Sequence, residues 1–204
     1  MASANSSCDW SAGLTDPVNL IPTSVLVLCV AISGLPRNWT AAWALFNAVM
    51  IHAFLDGVVG GMLRGPDCLV KGYMYIDDRF TNGDGTIGCL CWLELYMYTP
   101  LAMIWYHSEN TKAWHREFFG IVLSVIYLMG NLFYIFAEAY LGFPDVPLDW
   151  PPKFDTYDKI VKFWGIYLGA NSIWVFIPLI IIYRGWVNIG AAFKQANGAR
   201  IKSD

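Results

Sequence analysis

His52 and Asp56 stand four residues apart in the run AWALFNAVMIHAFLDGVVGG, which is otherwise apolar. Helical spacing puts both on one face. A carboxylate one turn from an imidazole can hold the ring's tautomer and strengthen it as a base, which is the arrangement of general acid–base chemistry. The structural alternative is an ion pair bridging two helices. Glu94 lies in CLCWLELYMYTP, a turn and a half before Pro100; it is either a proton donor or a partner for a carbonyl freed by the proline. Asn171 and Trp174 are three apart in a further apolar run. A mid-span Asn often joins helices, but beside an indole, whose face can stabilise a cation, it reads as a pocket wall. Asn131, Tyr134 and Glu138 form a similar stripe at i, i+3 and i+7, with Glu138 close enough to a helix end to reach the interface.

These groups need elements to position them, and the composition says which. Of the residues, 56% are apolar and only 14% charged, against about 25% charged in soluble domains; the mean hydropathy is +0.44. The expectation is an all-α integral membrane protein. Five apolar runs are each near the ~20 residues needed to cross ~30 Å of hydrocarbon. They lie at 18–34, 41–63, 87–106 (interrupted near Pro100), 118–141 and 161–183. Residues 1–17 and 184–204 then read as tails. Ionisable side chains inside such spans are costly, so they face a cavity and mark function.

Several classes of function drop out. A net charge of −3 with no basic cluster offers nothing to nucleic acid. No nucleophile elbow, HExxH, Walker or dinucleotide motif occurs. Three histidines are too few for a diiron or haem oxidase, so chemistry without metal or cofactor is expected. Cys8, Cys29, Cys68, Cys89 and Cys91 have no metal-ligand spacing, and a loop disulfide involving Cys8 or Cys68 stays open. The long polar connection 64–86 ends in Asn82-Gly83-Asp84-Gly85, which reads as a turn because Phe80 stands where a calcium loop needs oxygen. The Pro-, Asp- and Trp-rich stretch 143–159 suits headgroup depth. The first 17 residues hold no Lys or Arg and the segment from Arg184 holds four. That favours a retained first helix with its N-terminus lumenal and the C-terminus cytoplasmic. Gly57, Gly60 and Gly61 could let helices approach closely, within the chain or in a homodimer.

The same residues carry a family likeness. IHAFLDG (51–57) is similar to the His-x-x-x-acid-Gly signature on the second helix of the emopamil-binding protein family, the sterol 8,7-isomerase-like branch of the EXPERA superfamily. Asp78-Arg79 through Gly83-Asp84 to Pro100 resembles that family's second loop and third helix. GNLFYIFAEAYLGF (130–143) resembles its fourth-helix motif, and FWGIYLGANSIWVFIP (163–178) its fifth. The resemblance implies an EXPERA-like four-helix domain over 41–183 behind the first helix. It implies five transmembrane helices in the endoplasmic reticulum membrane around a lipid-accessible cavity. It also implies a cofactor-free shift of a sterol ring double bond by protonation and deprotonation through a carbocation. His52, Asp56 and Glu94 would handle protons; Asn171 and Trp174 would brace the cation, with Tyr134, Asn131, Glu138 and Cys91 lining the substrate site.

The sequence departs from the pattern in three places. The second-helix acid is Asp56 rather than the usual Glu; Asn131 replaces an Asp; and Cys91 occupies the position of the third-helix Glu, the acid appearing one turn on at Glu94. A proton delivered about 5.4 Å away could act elsewhere on a ring system. Two alternatives therefore stand beside the sterol isomerase: an isomerase or cyclase for another polycyclic isoprenoid or secondary metabolite, and a non-catalytic sterol- or lipid-binding protein.

Overall fold

The computed structural model describes residues 16–145, 153–157 and 159–201. The tail 1–15, with Cys8, and the middle of the 143–159 stretch lie outside them. The described residues are helical, with no strand among them. Helix α1 (Pro17–Ser33) begins where the Asp16 carboxylate accepts from the Val18 amide at 3.0 Å, with Pro17 preset for the first turn, and stops at Gly34. Asn38 then caps α2 (Trp39–Gly61), its side-chain oxygen accepting from the Ala41 amide at 2.8 Å. The long polar connection 64–86 holds two short helices, α3 (Asp67–Ile76) and α4 (Arg79–Asn82). Asp84, in the stretch read as a turn, caps α5 (Gly85–Thr111) by accepting from the Thr86 and Ile87 amides at 2.9 and 3.0 Å. Helix α6 (Arg116–Tyr140) follows, and then α7, which joins Lys159–Ala170 to Asn171–Ile201.

Helices α2, α5, α6 and α7 are long and apolar enough to cross a membrane; α1 is apolar but shorter. Phe118, Phe133, Phe136, Phe176 and Ile180 are exposed on the outside, an apolar surface that a lipid-facing protein needs and a soluble one avoids. Helix α5 runs unbroken past the expected end at 106. Helix α7 continues beyond Tyr183, so the tail 184–204 is helical as far as Ile201. Inside, Ala41, Ala44, Ala48, Ala53 and Ala102 are fully buried and let backbones approach. Trp105, Tyr106, Leu123 and Tyr127 fill the volume between them.

The two ends of the bundle are tied differently. At one, the Asn110 amide donates to the carbonyls of Ser33 and Leu35 at 3.1 Å, Tyr106 donates to Gly34, and Arg184 reaches Thr40 (2.8 Å) and Glu109 (3.3 Å). At the other, Arg79 is buried against Asp77 and Glu138.

Three segments have wide turns in which backbone bonds run five residues back: Asn47–Gly61, Glu94–Tyr98 and Lys159–Ala170. Such turns are uncommon and concentrate at functional sites. In α5 the cause is local, because Pro100 has no amide to donate, and the Thr99 hydroxyl and amide both turn to the Glu94 carbonyl. In the other two, glycines make room. A Cβ on Gly57 would sit 2.7 Å from the His52 carbonyl, and one on Gly169 2.8 Å from the Trp164 carbonyl, each five residues back. Gly57 also abuts Leu95 of α5 and Gly61 abuts Cys91, so these glycines serve contacts within the chain.

Candidate active site

The wide turns converge on a cavity of about 320 Å³ between α2, α3, α5, α6 and α7. His52 and Asp56 enter it from α2, Cys91, Glu94 and Tyr98 from α5, Tyr127, Asn131 and Tyr134 from α6, and Asn171 and Trp174 from α7. The volume is at the small end of the range for ligand sites, and most of the lining is apolar.

His52, Asp56 and Glu94 form one cluster, with one donor atom of each within 4.8 Å of the others. The helical spacing singles out Asp56 as the partner of His52, yet the imidazole Nδ1 meets Glu94 Oε2 at 3.3 Å. The reason is tertiary. Asp56 is already engaged by the Tyr73 hydroxyl, which donates to Oδ1 at 2.9 Å, while the turn before Pro100 brings Glu94 in from α5. Glu94 therefore bonds the imidazole rather than a freed carbonyl. An oxygen of Asp56 also lies within 4.8 Å of one of Glu94, so the two carboxyls can share a proton when one of them carries it. Rings hold the imidazole in place: Tyr127 at 4.9 Å and, edge-on, Tyr98 at 5.7 Å. By donor type the trio is also the group among the described residues that could hold a metal ion. Each member already has a protein partner, and together they make a unit able to take up, pass and release protons.

The wall opposite is amide and indole. The Asn131 side chain donates to the Asn171 carbonyl at 2.7 Å, and the Asn171 side chain donates to the Tyr167 carbonyl at 2.8 Å. Trp174 donates from Nε1 to Asn47 Oδ1 at 2.9 Å and packs 5.8 Å from Trp43. Asn171 and Trp174 are thus fixed in orientation, with the indole at the cavity wall. Trp43 supports Trp174 from behind. Trp92 turns outward, stacked on Tyr96.

Glu138 departs from the expectation of a substrate contact. It is fully buried but does not line the cavity. Its Oε1 accepts from the Asp145 amide at 2.8 Å and its Oε2 lies 3.5 Å from Arg79. Tyr134 belongs to both regions: it lines the cavity, while its hydroxyl donates to Asp77 at 2.8 Å and its ring carries Arg79 at 4.6 Å. Cys91 lines the cavity with its thiol free.

Tyr73, Tyr98, Tyr127 and Asn47 were not identified from sequence. Asn47 left one sign, an amide five residues before His52 in an apolar run. The tyrosines left none, because the chain is rich in aromatics and only the fold separates pocket rings from interfacial ones.

Comparison with known proteins gives a consistent picture. Residues 66–185 match the family described as EXPERA, the expanded EBP superfamily. The chain is 46% identical over 177 residues to a probable 3-beta-hydroxysteroid-Delta(8),Delta(7)-isomerase of Oryza sativa subsp. japonica, covering 81% of this chain and 73% of that protein. It is 22% identical over 181 residues to a protoglabretal synthase of Citrus sinensis, covering 83% and 78%. A second probable 3-beta-hydroxysteroid-Delta(8),Delta(7)-isomerase, from Arabidopsis thaliana, is 24% identical over 127 residues, 62% of this chain and 52% of that protein.

Proposed function

The chain belongs to the EXPERA superfamily, and from that premise we propose that the His52–Asp56–Glu94 cluster is the proton-handling centre of a sterol Δ8,Δ7-isomerase-like enzyme. The enzyme shifts a C=C bond within a sterol ring. The observation that carries the assignment of residues is the cluster itself: an imidazole and two carboxyls gathered within 4.8 Å of one another at the wall of an apolar cavity.

The reaction needs no change of oxidation state. An acidic group of the cluster gives a proton to one alkene carbon, and the π electrons form the new C–H bond. The cation left on the adjacent carbon lies in a cavity walled by the Trp174 indole and by the amides of Asn131 and Asn171. A basic group of the cluster removes a proton from the carbon on the far side, and those C–H electrons become the new double bond. Apolar walls suit this, since excluded water cannot trap the cation.

In this reading α1 is a fifth span. Salt-bridged through Asp16 to Arg64 at one end of α2 and held through Ser33 to Asn110 at the far end of α5, it follows the bundle from end to end. The membrane is that of the endoplasmic reticulum, with the 64–86 connection lumenal. Cys68 in that connection is disulfide-bonded, which suits an oxidising compartment.

A second reading is favoured by one feature. Cys91 and Glu94 both line the cavity, so the acid acts one turn from the family's usual position and a different ring carbon of a related isoprenoid is the one protonated. Expression in cells lacking sterol 8,7-isomerase, followed by sterol profiling, separates the readings. Restored Δ7-sterol that disappears in His52→Ala and Glu94→Gln supports the isomerase. Failure to rescue with sterol still bound points to a binding protein, and failure with no sterol bound points to another substrate.

A further inference from the structure

We infer that Tyr73 is the outer end of a proton relay, Tyr73–Asp56–Glu94–His52, that connects the buried cluster to water at the α3 side of the molecule. The inference rests on the isomerase reading for its purpose, but its geometry stands alone. The Tyr73 hydroxyl donates to Asp56 at 2.9 Å, carboxyl oxygens of Asp56 and Glu94 lie within 4.8 Å of each other, and Glu94 meets His52 Nδ1 at 3.3 Å. The outer two links are hydrogen bonds, the middle one is a carboxyl pair that bonds when one member is protonated, and every group in the chain can both accept and release a proton.

An isomerase of this kind ends each turnover with its protons misplaced: the group that gave one is empty and the group that took one is full. Resetting requires exchange between them, or with solvent. His52 is buried and flanked by Tyr98 and Tyr127. Tyr73 is different. It belongs to a short helix outside the long apolar spans, is half-buried, and lies between exposed Lys71 and Tyr75. Burial, and then the neighbouring Asp56, push its phenol well above the ordinary tyrosine range. It therefore stays protonated and able to donate across neutral and mildly alkaline pH.

Its placement is also built in. The Tyr73 ring packs edge-on to Phe80 at 5.1 Å and against Gly60, where an added Cβ would come within 3.2 Å of the ring. In the relay, the phenol passes its proton to Asp56 and takes another from water. Asp56 hands one to Glu94, and Glu94 to the imidazole; the reverse sequence discharges the site. No bond other than O–H and N–H forms or breaks, and no co-reactant is required.

Tyr73→Phe tests the relay, because it keeps the ring contacts and removes only the hydroxyl; Tyr75→Phe is the matched control. The purified full chain in lipid nanodiscs is transferred to D2O, and the shift of its buried carboxyl bands is followed by infrared spectroscopy without substrate. The relay predicts exchange slower by about tenfold or more in Tyr73→Phe and unchanged in Tyr75→Phe. With a Δ8-sterol substrate, Tyr73→Phe should lower kcat with KM unaltered. It should also cut the solvent deuterium found in product, since protium taken from the substrate is handed back to it. Unchanged carboxyl exchange in Tyr73→Phe overturns the relay, even if turnover falls. Slowed exchange in a chain that isomerises no sterol supports the relay while removing the isomerase reading.

Discussion

Two buried clusters in this molecule have the same formal make-up, one basic side chain and two carboxyls, and do opposite things. Around Arg79, Asp77 accepts from Nε at 2.9 and 3.1 Å and Glu138 lies at 3.5 Å, while the guanidinium also donates to the Tyr134 carbonyl. Around His52, among the described residues, only Glu94 bonds the ring, Asp56 is held by Tyr73, and the imidazole Nε2 has no partner. Arginine never gives up its proton and its planar fork fills several acceptors at once. A histidine in the same company can lose, gain or relay one. The first cluster is a bolt between α4 and α6; the second is the proposed reaction centre. What separates them is the base, not the burial.

Breaking each cluster should therefore fail in a different currency of measurement. The largest effect is expected for His52→Ala and Glu94→Gln: turnover in a sterol-isomerisation assay falling about 10²–10⁴-fold, with thermal stability close to wild type. Next comes Arg79→Ala, which leaves Asp77 and Glu138 buried without a cation and should cost about 3–5 kcal/mol, read as a collapse of the melting temperature in detergent. Partial recovery in Arg79→Met with Asp77→Asn and Glu138→Gln would confirm that the bolt is electrostatic. Gly57→Ala is expected to be intermediate. Its methyl meets the His52 carbonyl and Leu95 and should cost about 1–3 kcal/mol. Because it moves the turn that carries His52, it should also reduce kcat, the one variant here to affect both measures. Smallest is Glu138→Gln alone: about 1 kcal/mol of stability and unchanged KM. A raised KM would return Glu138 to the substrate site.

Legibility from sequence was uneven, for physical reasons. His52, Asp56, Glu94, Asn171 and Trp174 stood out because polar groups in apolar runs are rare and costly, and the structure brings all five to one cavity. Glu138 stood out by the same rule and belongs elsewhere: the rule reports that a buried charge has a partner, not whether the partner is a substrate or an arginine. The bond between His52 and Glu94, 42 residues apart, lies beyond any periodicity argument, which sees only neighbours on one helix and so selected Asp56. Tyr73 was hidden for a related reason, since a tyrosine in a polar connection is unremarkable until that connection folds over the cavity.

Hydropathy and spacing by themselves determined that this chain is a bundle of apolar helices with ionisable groups inside it, because a bilayer tolerates little else and exacts a free-energy penalty for each exception. The tertiary structure alone decided which acid serves which base. Wide turns permitted by Gly57 and Gly169 and imposed before Pro100 rotate the helices so that Glu94, not Asp56, meets the imidazole. Side-chain partnership depends on where helices face one another, and that is a property of the packed bundle rather than of any one segment.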